Sequence, residues 1–185
     1  MRNLQLKYLF LLSLIFSITA YAENEISGIR TDPNIWLGLS LGVSDDSFYH
    51  WQPNPSSGFS FNFSKENQLF RFRYYYNSLC TPFSESLKEV RDVGILYGYC
   101  SYFKKASCSI SCGISHVTGH YHEYLGMMNY KRIGISTVGF PFEAQLDWLP
   151  FRKFGLGLSL YGDLNSEMNF YGLMLSMNIG KIRSN

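Results

Sequence analysis

The chain has 185 residues, enough for one domain and short for two. Its net charge of +2 falls to zero once Arg2 and Lys7 are set aside with the leader described below, so the composition offers no basic surface for nucleic acid. It is 46% hydrophobic and 17% aromatic, with 16 glycines, yet no apolar run reaches the length of about 18 residues that a transmembrane helix needs.

The first element is a leader. Arg2 and Lys7 precede an apolar run over residues 8–18, and Ala20 and Ala22 flank Tyr21 in the small-x-small pattern that signal peptidase reads. Cleavage after Ala22 predicts residues 1–22 as a signal peptide and residues 23–185 as one exported domain. No lipobox cysteine follows the apolar run, so a bacterial lipid anchor is not expected.

The rest of the chain alternates with period two, the spacing of strands with unlike faces. Segment 35–44 sets Leu37, Leu39, Leu41 and Val43 against Gly38, Ser40 and Gly42. Segment 58–65 sets Phe59, Phe61 and Phe63 against Ser60, Asn62 and Ser64. Segment 68–77 sets Phe70, Phe72, Tyr74 and Tyr76 against Arg71, Arg73 and Tyr75. Segments 92–102, 107–117 and 133–149 continue the pattern, the last with Phe140, Phe142, Leu146 and Trp148 opposite Glu143, Gln145 and Asp147. Segments 154–162 and 169–181 alternate leucines and methionines with Gly, Ser and Asn. The sequence thus predicts eight strands. Their connections alternate: short at Glu66-Asn67, 103–106 and 150–153, longer at 45–57, 78–91, 118–132 and 163–168. Short turns on one side and longer loops on the other are a feature of barrels in outer membranes.

One face is apolar and the other is mostly Gly and Ser with a few charges. Small residues make a poor exterior in water, but they fit the narrow lumen of eight strands. The apolar face is therefore assigned to lipid. Trp36, at the start of the first strand, and Trp148, at the end of the sixth, are expected at the short-turn rim. Trp51 is expected at the long-loop rim, beside Phe48, Tyr74, Tyr76, Tyr121 and Tyr124.

With this pattern the chain resembles the small eight-stranded outer-membrane β-barrel proteins of Gram-negative bacteria over residues 34–182. Residues 170–177 are similar to the C-terminal signal of such proteins, although the chain runs on through Lys181 to Asn185 without a terminal Phe. The resemblance implies an all-β, antiparallel up-and-down transmembrane barrel in the cell outer membrane. It further implies outer-membrane lipid and lipopolysaccharide as surroundings, the barrel-assembly machinery as partner during biogenesis, and no cofactor. A structural, adhesive or receptor-like role carried by the loops is the expectation. Two other readings stay open: a barrel enzyme that transfers or removes acyl chains on lipid A, and a soluble lipocalin-like barrel that binds a small apolar ligand. The second lacks the G-x-W signature, since Trp36 follows Asn34 and Ile35.

Four sets of residues carry candidate chemistry. Arg71 and Arg73 are expected to meet Glu143 and Asp147 across the lumen, because an unpaired charge there is costly. His116, His120, His122 and Glu123 fall within eight positions and offer imidazole and carboxylate to a transition metal, in a spacing that matches no specific zinc motif. Ser115 with His116, or His50 with Asp45, Asp46 and Ser47, supplies the residue types of a nucleophile and base. Cys80, Cys100, Cys108 and Cys112 read as free thiols, with a Cys100–Cys108 bridge as the alternative.

Overall fold

The computed structural model describes residues 33–46, 54–79, 88–126 and 129–182. The expected leader over 1–22, together with His50, Trp51 and Cys80, lies outside the described residues. Eight strands follow in chain order: β1 (Asn34–Asp46), β2 (Asn54–Lys65), β3 (Gln68–Leu79) and β4 (Lys88–Tyr102), then β5 (Ala106–Gly126), β6 (Asn129–Phe151), β7 (Phe154–Asn165) and β8 (Phe170–Lys181). Each pairs antiparallel with its sequence neighbour, and β8 returns to β1, from Ile35↔Lys181 to Asp46↔Phe170. The barrel is closed, so every strand finds a partner on both sides at barrel height. That is the condition for strands to sit in a medium that offers no hydrogen bonds.

The alternation predicted from sequence decides which way each side chain points. Leu37, Leu39, Leu41, Ile95, Ile114 and Leu175 are among the large apolar residues exposed on the outside. Ser40, Ser60, Asn62, Arg71, Glu143 and Asn178 are buried inside. An exterior of this kind suits acyl chains and would aggregate in water. A soluble barrel with an apolar interior is the inverse arrangement, and the structure does not have it.

The turns between β2 and β3, β4 and β5, and β6 and β7 are short. Glu66 takes a left-handed conformation at φ 57° to close the first of them. In the second, the Phe103 N–H donates to the Ala106 carbonyl at 2.8 Å around Lys104 and Lys105.

Three expectations give way to the structure. Residues 118–132 were expected to form a loop, but β5 and β6 run on through them to Gly126 and Asn129. Register holds from His116↔Val138 to Tyr124↔Tyr130. The period-two pattern does not stop at the rim: Val117 and Ile135 are buried on the inner side, while His116, Arg132 and Ser136 are exposed on the outer. The second correction concerns Trp36, which was placed among the membrane-interface aromatics. It is 3% exposed and packs inside the barrel with Leu69, Cys100, Tyr102, Leu149 and Ile182. Its neighbours Ile35 and Leu37 face outward, so strand parity turns Trp36 inward. Trp148 does lie outside, at 56% exposure. Tyr121, also expected in the outer girdle, packs from within against the upper core.

Candidate functional site

The lumen is filled in three layers. At the short-turn end sits the apolar cluster around Trp36 and Leu149. At the opposite end Tyr75, Val90, Val117, Ile135, Tyr161, Met168, Phe170 and Met174 form a second. Between them lies a polar belt that includes Arg71, Arg73, Asp92, Glu143, Asp147 and Asp163, all buried.

The belt is organised by the two guanidiniums of β3. Arg71 donates from Nε to Asn62 Oδ1 at 2.6 Å and from Nη2 to Gln145 Oε1 at 2.6 Å, and its Nη1 pairs with Glu143 Oε1. Arg73 donates from Nη2 to Asp92 Oδ2 at 2.6 Å and lies 3.5 Å from Glu143 Oε2 through Nη1. Its guanidinium carbon stands 4.7 Å from the Tyr75 ring centre, and the Tyr75 hydroxyl donates to Glu143 Oε2 at 2.9 Å. Glu143 therefore takes contacts from Arg71, Arg73 and Tyr75 at once. Charges removed from water need this density of partners to remain ionised.

Asp147 has a different setting from the one expected. It contacts neither arginine. It accepts from Gln145 Nε2 at 2.6 Å, Asn178 Nδ2 at 2.7 Å and the Ser107 hydroxyl at 3.1 Å. Asp147 lies four positions past Glu143 along β6, farther from the arginines by two inward steps. Two carboxylates of the belt were missed from sequence. Asp92 shares the inward face with Gly94 and Leu96, and Asp163 shares that of Gly155, Gly157 and Ser159. Extending each alternation by one step would have found both. The Asp163 carboxylate accepts from the Ser115 hydroxyl and from Asn165 Nδ2, the latter at 2.9 Å. Glycines make room for these groups. A Cβ on Gly139 would strike the Asp163 carboxylate, and one on Gly157 would strike Asp147 and Ser176.

His116, His120 and His122 lie on the outer face of the β5–β6 extension. The rings of His120 and His122 meet edge to face at 5.6 Å between centres. Arg132 Nη2 lies 3.2 Å from His120 Nδ1, and Ser136 Oγ lies 3.4 Å from His116 Nε2. Among the described residues no three potential metal ligands converge. A guanidinium at hydrogen-bond distance from His120 also opposes a metal cation there. The side chain of Glu123 lies outside the described residues. Ser115 and His116 point to opposite faces of β5, the serine to Asp163 in the lumen and the histidine outward, so they form no nucleophile–base pair. Cys100, Cys108 and Cys112 are free thiols. Cys100 is paired in register with Ser109, and Cys108 with Ser101, which leaves no Cys100–Cys108 bridge.

No family model matches the chain, and no curated protein matches it in sequence. Solved structures match it in fold. Ail, the attachment invasion locus protein of Yersinia pestis, is 13% identical, with 82% of this chain and 99% of that chain covered and a TM-score of 0.57. Neisserial surface protein A is 8% identical, with 80% and 96% covered and a TM-score of 0.58. The N-terminal β-barrel domain of Pseudomonas aeruginosa OprF is 10% identical, with 80% and 99% covered and a TM-score of 0.54. Ail is also known in complex with the heparin analogue sucrose octasulfate. At these identities the likeness is one of architecture. The chain has the fold of the small eight-stranded barrels of bacterial outer membranes.

Proposed function

We propose that the protein is an integral outer-membrane barrel, surrounded by outer-membrane lipid and lipopolysaccharide, that presents the β5–β6 ribbon for contact with molecules outside the cell. The observation that carries this reading is the division of labour within one hairpin. Below Gly139, β6 is paired on both sides and belongs to the barrel wall. Above it, β5 and β6 continue as a ribbon with a polar outer face, and only Val117, Tyr121 and Ile135 of its inner face join the upper apolar cluster. The lumen is an unpromising place for activity. Apolar clusters close it at both ends; Arg71, Arg73, Glu143 and Asp92 pair with one another, and Asp147 and Asp163 are held by amides and hydroxyls. Of the pairs the sequence suggested for acyl-chain chemistry on lipid A, Ser115 and His116 point to opposite faces and do not assemble, while Ser47 and His50 lie outside the described residues. An adhesive or receptor-like role is in keeping with the name of Ail, the attachment invasion locus protein.

The reading is tested by inserting an epitope between Gly126 and Asn129 and staining intact cells. Antibody is expected to bind without permeabilisation. Staining that appears only after the outer membrane is opened would overturn the outward placement of the ribbon.

A further inference from the structure

The two sides of the ribbon are unequal. On its β5 side, β4 pairs up to Lys88↔Tyr121 and Glu89↔His120. On its β6 side, β7 begins only at Gly139↔Asn165. Among the described residues, β6 from Asn129 to Ser136 is therefore paired with β5 alone, and no backbone hydrogen bond made outside the ladders reaches this run. Its lower limit is fixed by Thr137, whose hydroxyl lies 3.1 Å from that of Ser166 in the β7–β8 turn. Among the described residues, a strand edge longer than one full pleat repeat thus carries backbone N–H and C=O groups with no strand beside them. Such an edge is a template for another strand.

We propose that this edge is a strand-addition site for an extended acidic segment of another protein. The site lies on the ribbon that carries the contact function above, and so rests on that reading. Its side chains state what the incoming strand must look like. On the outer face the edge presents Arg132, Gly134 and Ser136. Arg132 is exposed, and among the described residues a Cβ at Gly134 would meet nothing within 4 Å, so this face of the edge is open. On the inner face stand Lys131, exposed, then Ile133, half-buried, and Ile135, buried. A complementary strand alternates acidic residues on the outer face, which meet Arg132, with apolar ones on the inner face, which extend the surface of Ile133 and Ile135, and Lys131 at the end of that inner row adds to the positive field the strand meets. The charges also select against a second copy of this chain. Two barrels upright in one membrane would bring Lys131 and Arg132 of one ribbon beside those of the other, and like charges across a strand pair are destabilising. The same two residues therefore block self-association and attract an acidic partner.

The test uses the purified full-length protein in lipid nanodiscs, where cellular orientation plays no part. Its failure is therefore distinguishable from failure of the surface-staining experiment. Three synthetic peptides are titrated: one alternating Glu and Val, one alternating Lys and Val, and the Glu-Val peptide N-methylated along one edge. Affinity and backbone amide exchange are read together. The Glu-Val peptide is expected to bind and to protect alternate amides between Asn129 and Ser136. The Lys-Val and N-methylated peptides are expected to bind about tenfold more weakly or worse, since each loses either the charge match or several backbone hydrogen bonds. The double variant K131E/R132E is expected to reverse the preference between the two charged peptides. If the N-methylated peptide binds as well as its parent, the attraction is electrostatic without strand addition and the proposal fails. It fails equally if no peptide binds, or if protection appears elsewhere on the barrel.

Discussion

At the scale of single residues, Glu143 and Asp147 separate two kinds of buried carboxylate. Both lie inside the barrel on β6, four positions apart. Glu143 faces Arg71, Arg73 and Tyr75, whereas Asp147 faces amides and a hydroxyl. Replacing Glu143 by Gln removes the charge that both guanidiniums share and leaves Asp92 to balance them. Breaking a buried ion pair from one side costs about 3 kcal/mol or more. Urea unfolding from lipid vesicles is expected to show a loss of that order for Glu143→Gln. Asp147→Asn keeps an acceptor for Gln145 and Asn178 and offers an N–H to Ser107. It is expected to change stability by no more than about 1 kcal/mol. Equal losses in the two variants would contradict the network as described. The pairing of Arg71 and Arg73 with a carboxylate of β6 was legible in the sequence, because inward parity plus burial demands a countercharge. Which carboxylate does the pairing was not legible. That depends on how far the strands shift past one another around the barrel, a quantity no single strand contains.

At the scale of elements, the eight strands could be read from alternation alone, because lipid outside and a narrow lumen inside impose opposite demands on successive residues. The exceptions lie where a second factor intervenes. The chemistry of Trp36, an amphipathic ring near a strand end, points to the interface, but its parity places it inside with Gly38 and Ser40. Residues 118–132 resemble a loop because their alternation is polar, with His, Ser and Arg where lipid-facing strands carry Leu or Phe. Polar alternation is what a strand looks like once it leaves the bilayer. This origin gives the ribbon a measurable independence. Removing residues 121–133 and joining His120 to Gly134, which are partners in register, leaves all eight strands of the barrel wall and both arginines in place. The shortened protein is expected to keep its folded, faster-migrating band on unboiled SDS gels. It forfeits the Tyr121 contact with the upper core, so a modest fall in unfolding midpoint is expected. A protein that no longer folds would show that the ribbon is part of the barrel's stability and not an appendage.

At the scale of the whole molecule, the barrel is an inverted globule, with the polar groups at its centre and the apolar ones on its surface. The polar belt is enclosed from both ends. Trp36, Leu69 and Leu149 seal one mouth, and Val117, Phe170 and Met174 help to seal the other. Eight strands leave little room beyond their own side chains. No discrete conductance steps are therefore expected when the protein is incorporated into planar lipid bilayers. Defined open levels would mean that one of the apolar clusters yields to water.

The central claim is the direction in which the barrel faces, apolar side to lipid and polar side to the lumen, and the tryptophans report it directly. Two proteins are compared in vesicles of lipids brominated along the acyl chains: one retaining only Trp148 and one retaining only Trp36, the other tryptophans replaced by Phe. Trp148, outside at 56% exposure, is expected to be quenched, and Trp36, inside at 3%, is expected to stay bright. Quenching of Trp36 with Trp148 left bright, or of neither, would contradict the account.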